Sequence, residues 1–433
     1  MFLNPNKLRR ITIDITANCN SFCPGCLRRV SSDVPRLGLK EGDINPAIQV
    51  GHKGNMPLST VKNVFTPTVM GGLKTLDFNG TFGDCIMHPD LIEILHHIAD
   101  VSDSQKAERE ANGRNRRTDL WISTNGGVRD KAFWTELGKI ASERYNPNNS
   151  EVIFALEGTD DKTHQMYRRG VPYEKVLERA KWFMDAGGVA VWQFIEFDHN
   201  KHQIQEAQKL AKEYGFSRFD IRRSRMAEHI SNSLREEAIR TGVMTVEDKE
   251  TSYEVDGFSK VKKKDMADGA EHSHTTEAYK EMEVKAKKIV VEEFNNDMDD
   301  YANNCSIWCQ WGNEGKLQIE WDGRVHVCCH MTAYFGRPWN KDSANEQGQP
   351  DNEYQNYYVN KYDENWNYTS HHTLEDILYH KFFQEDLHDS WNNKTDDPDK
   401  PRLNICIDNC GSIATSLRAK KEERIELGEG NES

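Results

Sequence analysis

The chain contains no run of about 18 apolar residues, and its opening stretch, MFLNPNKLRR, lacks the apolar centre of a signal peptide. Neither a membrane span nor a secretory signal is expected, which places the protein in the cytoplasm, where disulfides are rare. Basic residues are also in deficit. Against 70 Asp and Glu stand 56 Lys and Arg, a formal net charge of −14. A surface that tracks phosphates needs clustered Lys and Arg, so nucleic acid is not the expected partner.

What the chain does have is ten cysteines in 433 residues. They fall at 19/23/26, 305/309, 328/329 and 406/410, with Cys85 alone. Grouped cysteines in a reducing compartment read as metal or cluster ligands.

The length suggests more than one domain. Residues 8 to about 224 alternate short β-branched runs with amphipathic stretches, the pattern of repeated β/α units around a parallel sheet or barrel. Strands are predicted at Arg10–Thr16, Leu73–Asn79, Asp119–Thr124, Glu151–Leu156, Val189–Phe197 and Arg218–Arg222. Helices are predicted at Pro89–Ala99, Lys131–Ser142, Tyr173–Ala186 and Lys201–Tyr214. The fold class expected is α/β, a partial (β/α)6 TIM-like barrel over 1–225. A charged helical connector (226–300), a small α+β auxiliary domain with a β-hairpin (301–415) and a frayed helix and tail (416–433) follow.

Cys19-Asn-Ser-Phe-Cys23-Pro-Gly-Cys26 directly follows the first strand, at the strand end where β/α barrels place reactive groups. Three thiolates on a tight loop can hold three irons of a [4Fe–4S] cube and leave the fourth open. Zinc is the alternative, but zinc knuckles usually pair two C-x2-C units, and no fourth cysteine of matching spacing lies nearby.

The C-x3-C-x2-C loop after a first strand resembles the signature of the radical S-adenosylmethionine superfamily. The resemblance implies that Cys19, Cys23 and Cys26 ligate a [4Fe–4S] cluster whose open iron chelates the methionine moiety of S-adenosylmethionine. In that family the reduced cluster cleaves the cofactor to a 5′-deoxyadenosyl radical, which abstracts a substrate hydrogen. A flavodoxin- or ferredoxin-type reductant is the implied partner.

Further segments carry the resemblance. Asn79-Gly80-Thr81-Phe82-Gly83-Asp84 is similar to the family's glycine-rich segment, with Asp84 where relatives carry Glu. Ser123-Thr124-Asn125-Gly126 is similar to its Thr-Asn-Gly segment, and Glu157 stands where relatives use an acid near the ribose. His164 to Arg168 matches a His-x3-Arg pattern, with Arg168 a candidate for the cofactor carboxylate, and Gln193 is a candidate for the adenine. Relatives commonly place an aromatic before the third cysteine. Here Gly25 stands there and Phe22 precedes the second cysteine instead.

Downstream, C-x13-G-x4-C runs from Cys309 through Gly323 to Cys328. Asp322-Gly323 predicts a hairpin between Lys316–Trp321 and Arg324–Cys328, which returns Cys328 toward Cys309. Cys406-Ile-Asp-Asn-Cys410 adds two thiols after a predicted helix at Leu374–His388. The arrangement resembles the twitch form of the SPASM extension, and implies a second [4Fe–4S] cluster on Cys309, Cys328, Cys406 and Cys410. Cys305 is an alternative to Cys309, and tetrahedral zinc also suits four cysteines. Cys85 reads as a buried, inert thiol.

Three readings of function remain open in the sequence. One is oxidative modification of a peptide or amino-acid side chain, with Tyr334–His372 as a binding loop. The short stretch before the first strand leaves no room for a leader-binding domain, which weakens the ribosomal-peptide version. Another is oxidation or rearrangement of a small polar metabolite. The last is a non-catalytic iron–sulfur or zinc protein.

Overall fold

The β-branched and apolar runs of the first half pair side by side in one parallel sheet. The computed structural model describes residues 3–21, 23, 54–81, 83–111, 116–197, 199–223, 252–253, 261–262, 292–295, 297–331, 361–363, 365–412 and 422–426. Six strands fall where the sequence predicts them: β1 (Arg10–Ile13), β2 (Thr75–Phe78), β3 (Asp119–Thr124), β4 (Glu151–Ala155), β5 (Ala190–Glu196) and β6 (Arg218–Arg223). They are joined in chain order by parallel pairings. The main helices between them are α1 (Leu91–Ser104), α2 (Lys131–Glu143), α3 (Asp161–Tyr167), α4 (Tyr173–Asp185) and α5 (Ile204–Tyr214).

Alternation divides the sheet into two chemically distinct faces. Ile11, Ile13, Leu76, Phe78, Ile122, Val152, Phe154, Trp192 and Phe194 join Leu95, Trp134 and Phe183 of the helices in one apolar core. The intervening positions carry Arg10, Thr12, Asp77, Trp121, Glu151, Gln193, Arg218 and Asp220, so the opposite face is polar. Arg218 binds Glu151 and Asp220 there, and the Arg10 guanidinium lies 4.6 Å from the Trp121 ring centre.

The Asp-Gly hairpin forms as predicted, but shorter, from β7 (Lys316–Ile319) and β8 (Val325–His326). It extends the main sheet, with β7 parallel to β1 over Arg10↔Lys316 to Ile13↔Ile319. The C-terminal stretch read as a frayed helix and tail contains β9 (Glu422–Glu426), antiparallel to β6. Its register sets Glu422 against Arg222, Arg424 against Asp220 and Glu426 against Arg218. The open sheet thus runs β8-β7-β1-β2-β3-β4-β5-β6-β9.

Two other expectations change. Most of the connector at 226–300 lies outside the described residues, but within it Ser252–Tyr253 pairs antiparallel with Val261–Lys262 where helix was expected. The helix predicted at Leu374–His388 splits into Leu374–Tyr379, Phe382–Asp386 and Leu387–Ser390, because His380 adopts extended backbone (φ −62°, ψ 146°). Of the Tyr334–His372 loop only the end is described. There Trp366 is buried against His380, Phe382 and Phe383, and Asn367 donates to the Val325 carbonyl. Among the described residues, no helix is long and apolar enough to cross a membrane.

Candidate active site

The cysteine loop leaves β1 at the C-terminal end of the sheet, and the ends of β2, β3 and β4 close around it. Asn125, just past β3, donates from Nδ2 to Cys19 Sγ at 3.4 Å and to Asn20 Oδ1 at 3.0 Å. Ser21 Oγ lies 2.9 Å from Cys23 Sγ, and Arg168 Nη1 donates to the same sulfur at 3.6 Å. Both described sulfurs of the loop are therefore met by polar groups of the chain. Cys26 and Phe22 lie outside the described residues.

Asp84 positions this arrangement. Its carboxylate accepts from Thr124 Oγ1 at 2.9 Å and from the Asn125 backbone N–H at 2.7 Å. Burial pushes the Asp84 carboxyl up, and these hydrogen bonds partly offset the rise. Its oxygens are thus occupied by the chain itself. The glycine-rich turn is likewise docked on the cysteine loop: Asp84 N–H donates to Asn18 O at 2.8 Å. A Cβ on Gly83 would stand 2.0 Å from the Thr16 carbonyl oxygen, and Gly80 needs φ +68°. Gly83 is therefore required by close backbone approach within the protein, and Gly80 by a left-handed turn.

Glu157 and Arg168 form a buried two-pronged ion pair, Nε to Oε2 at 2.8 Å and Nη2 to Oε1 at 2.9 Å. Burial opposes the Arg168 charge, but Glu157 outweighs it and Cys23 adds to the effect, so the guanidinium stays protonated. His164 accepts from the Glu157 backbone N–H through Nδ1 at 3.2 Å. Burial pushes its imidazole down to about 3, so it is neutral. Gln193 lies on the polar face with its amide oxygen accepting from Arg222 Nε at 2.8 Å, and Ser123 occupies the same face of β3.

The structure thus brings Cys19, Cys23, Asp84, Asn125, Glu157 and Arg168 together, and keeps Ser123 and Gln193 farther along the polar face. Asn20, Ser21 and Asp14 were not singled out in the sequence. Thr81 N–H donates to Asp14 Oδ1 at 2.8 Å, and burial pushes the Asp14 carboxyl up to about 7. An acid on the polar-face phase of a strand, Arg10, Thr12, Asp14, Thr16, is the signal that would have found it. Cys85 is buried, and burial raises its thiol well above the ordinary value.

The second group is built by three segments. Cys309 caps α6 (Gln310–Asn313), where Gly312 N–H donates to its sulfur at 3.4 Å. Cys328 follows β8. Cys406 and Cys410 sit one turn apart on α7 (Asn404–Cys410), the spacing that sets two side chains on one helix face. All four are buried. A hydrogen bond with Cys410 and then burial raise the Cys309 thiol. Burial and then Cys406 raise Cys328. Burial and then Cys410 push Cys406 up to about 12. No three His, Cys, Asp or Glu among the described residues stand at metal-ligand spacing. Buried thiols that raise one another's pKa suit a cation that takes their protons' place. Cys305 faces elsewhere, into Phe294, Tyr301 and Ile407, with Arg402 Nη2 donating to its sulfur at 3.6 Å.

The curated GTP 3′,8-cyclase of Microcystis aeruginosa is 23% identical over 202 residues, 46% of this chain. The C-x3-C-x2-C loop at the end of β1 in a parallel sheet is the feature by which the chain resembles the radical S-adenosylmethionine superfamily.

The chain spans about half the length of that curated relative, 48%. No family profile matches it. Among solved structures, Streptococcus suis SuiB bound to precursor peptide SuiA is 14% identical with a TM-score of 0.43, over 92% of this chain and 76% of that one. The structure of anSMEcpe with bound AdoMet is 12% identical with a TM-score of 0.42, over 87% and 79%.

Proposed function

We propose that this chain is a radical S-adenosylmethionine enzyme that oxidises a peptide or amino-acid side chain, using one iron–sulfur cluster on Cys19, Cys23 and Cys26 and a second on Cys309, Cys328, Cys406 and Cys410. The observation that carries the reading is the loop after β1, where Asn125 and Arg168 aim N–H groups at the described sulfurs. When bound, the first cluster and S-adenosylmethionine supply a carbon-centred radical able to abstract a hydrogen.

The chain's own residues then have defined tasks. Asn125, held by Asp84, fixes the loop at Cys19. Arg168, held by buried Glu157, keeps a positive charge beside Cys23 and is suited to a cofactor carboxylate. Ser123 and Gln193 line the polar face, where hydroxyl and amide groups suit ribose and adenine. Cys309, Cys328, Cys406 and Cys410 would hold a second cluster with no iron left for substrate, which would suit receipt of an electron from the substrate. SuiB and anSMEcpe have been solved with peptides, the substrate class proposed here. A flavodoxin- or ferredoxin-type protein would supply the first electron.

The alternative, oxidation or rearrangement of a small polar metabolite, is favoured by the GTP 3′,8-cyclase likeness. Anaerobic incubation of the reconstituted enzyme with deuterated peptide and metabolite pools separates the two. Deuterium is expected in 5′-deoxyadenosine from the peptide pool, and label arriving from the metabolite pool alone would overturn the peptide reading.

A further inference from the structure

The polar face has a second concentration of chemistry that the cluster sites leave unused, at the junction of β1, β7 and β8. In-register pairing sets Gln318 beside Thr12 and opposite His326, so their side chains share a face with Asp14 and Asp77. Asp14, Gln318, Glu320 and His326 are all buried there, Gln318 and Glu320 at 0% and 1% exposed.

Their acceptors greatly outnumber the donors that reach them. Gln318 Nε2 approaches Asp14 Oδ2 at 3.5 Å, the limit for a hydrogen bond. Gln318 Oε1 and Glu320 Oε1 have no hydrogen-bond donor. His326 Nε2 lies 3.5 Å from Glu320 Oε1, and Arg324 stays 3.9 Å from Oε2 while bonding Asp322. Asp77, by contrast, is filled by Arg10 and Thr12. A buried carboxylate and amide oxygen left without donors are costly unless something supplies them.

We propose that Asp14, Gln318 and Glu320 form a substrate subsite that takes a cationic hydrogen-bond-donating group, an ammonium or guanidinium. The inference rests on the proposed function and narrows its substrate to one with a basic side chain. The subsite adjoins the reactive end of the sheet, because Asp14 also holds Thr81 of the glycine-rich turn. A basic group held here would place the rest of its residue along the polar face toward the cysteine loop. Glu320 supplies charge, Gln318 Oε1 supplies direction, and Asp14 supplies a further oxygen.

The test is equilibrium binding to the reconstituted, S-adenosylmethionine-loaded protein. The probes are N-acetyl-lysine amide, N-acetyl-arginine amide and the neutral N-acetyl-norleucine amide. A charge-assisted buried pair predicts at least about tenfold tighter binding of a cationic probe than of the neutral one. Glu320→Gln keeps the shape and is expected to shrink that preference to about threefold or less while S-adenosylmethionine affinity is retained. The lysine and arginine arms distinguish ammonium from guanidinium. Equal binding of all three probes, or an undiminished preference in Glu320→Gln, overturns the subsite. Cluster iron and S-adenosylmethionine affinity are measured first on the same sample, and their absence would instead overturn the proposed function.

Discussion

The two cysteine groups are built on opposite electrostatic plans. Around Cys19 and Cys23 the protein supplies donors and a buried cation: Asn125, Ser21 and Arg168 all reach the sulfurs. Around Cys309, Cys328 and Cys406 burial and neighbouring thiols push every pKa upward. The difference teaches what each site needs. The first is shaped by its protein surroundings to hold a loop with something further beside it. The second gathers thiols that raise one another, with Gly312 N–H at Cys309 and Trp391 at Cys406 as their donors from the chain, and the proposed second cluster would take the place of their protons.

The largest effect expected from breaking this contrast is in the second group. Changing Cys309 and Cys406 together to Ala should abolish its cluster, about halve the iron per chain and stop oxidised product, while 5′-deoxyadenosine release persists. Iron analysis alongside mass spectrometry of both products checks this. Retained product formation would leave the second group a structural role only.

Next is the buried pair that holds the first group's cation. Glu157→Gln leaves the Arg168 charge buried with one fewer anion, and should destabilise the protein by about 3–5 kcal/mol in denaturant melts. The double variant Glu157→Gln, Arg168→Met should recover part of that loss in stability but not S-adenosylmethionine affinity. If the single variant melts like the parent, the pair does not hold Arg168 as described.

A smaller effect concerns the link between glycine turn and cysteine loop. Asp84→Ala removes an acceptor for three buried donors, Thr124 Oγ1 and the Asn125 and Ile86 N–H groups, each worth about 1–3 kcal/mol when stranded. S-adenosylmethionine affinity should fall along with stability, because Asn125 loses its anchor. Asp84→Asn should restore part of it.

The smallest is a pH dependence. The Asp14 carboxyl titrates near 7 in the folded protein against 3.8 ordinarily, so the folded state holds a proton that the unfolded state has released. Its contribution to stability is complete below about 4 and lost as the pH rises through about 7. Asp14→Asn should flatten that slope in melts across this range, whereas an unchanged slope would assign it to another group.

Much of the fold could be read from local patterns. All six predicted strands of the first half formed, since β-branched runs such as Arg10-Ile-Thr-Ile13 carry their own signal. The Asp-Gly hairpin did too. What the sequence hid was non-local. Nothing in Lys316–Ile319 announces that it pairs with β1 some 300 residues earlier, as the register shows. Glu422–Glu426 has too little apolar alternation to read as a strand, and it forms one by pairing with β6 some 200 residues earlier.

The site divides in the same way. The cysteine spacings and the Asn125, Glu157 and Arg168 positions were legible because motifs are contiguous. That Asp84 serves Thr124 and Asn125, and that Cys305 turns away from the other distal thiols, depends on contacts between distant segments. The subsite at Asp14, Gln318 and Glu320 joins strands at opposite ends of the chain.

The division of labour between the two groups is tested most directly by anaerobic incubation with S-adenosylmethionine and dithionite, followed by quantification of 5′-deoxyadenosine. Three proteins are compared: the parent, the Cys19→Ala, Cys23→Ala, Cys26→Ala variant, and the Cys309→Ala, Cys406→Ala variant. The account predicts 5′-deoxyadenosine from the first and third and none from the second. Release by the variant lacking Cys19, Cys23 and Cys26 would contradict it.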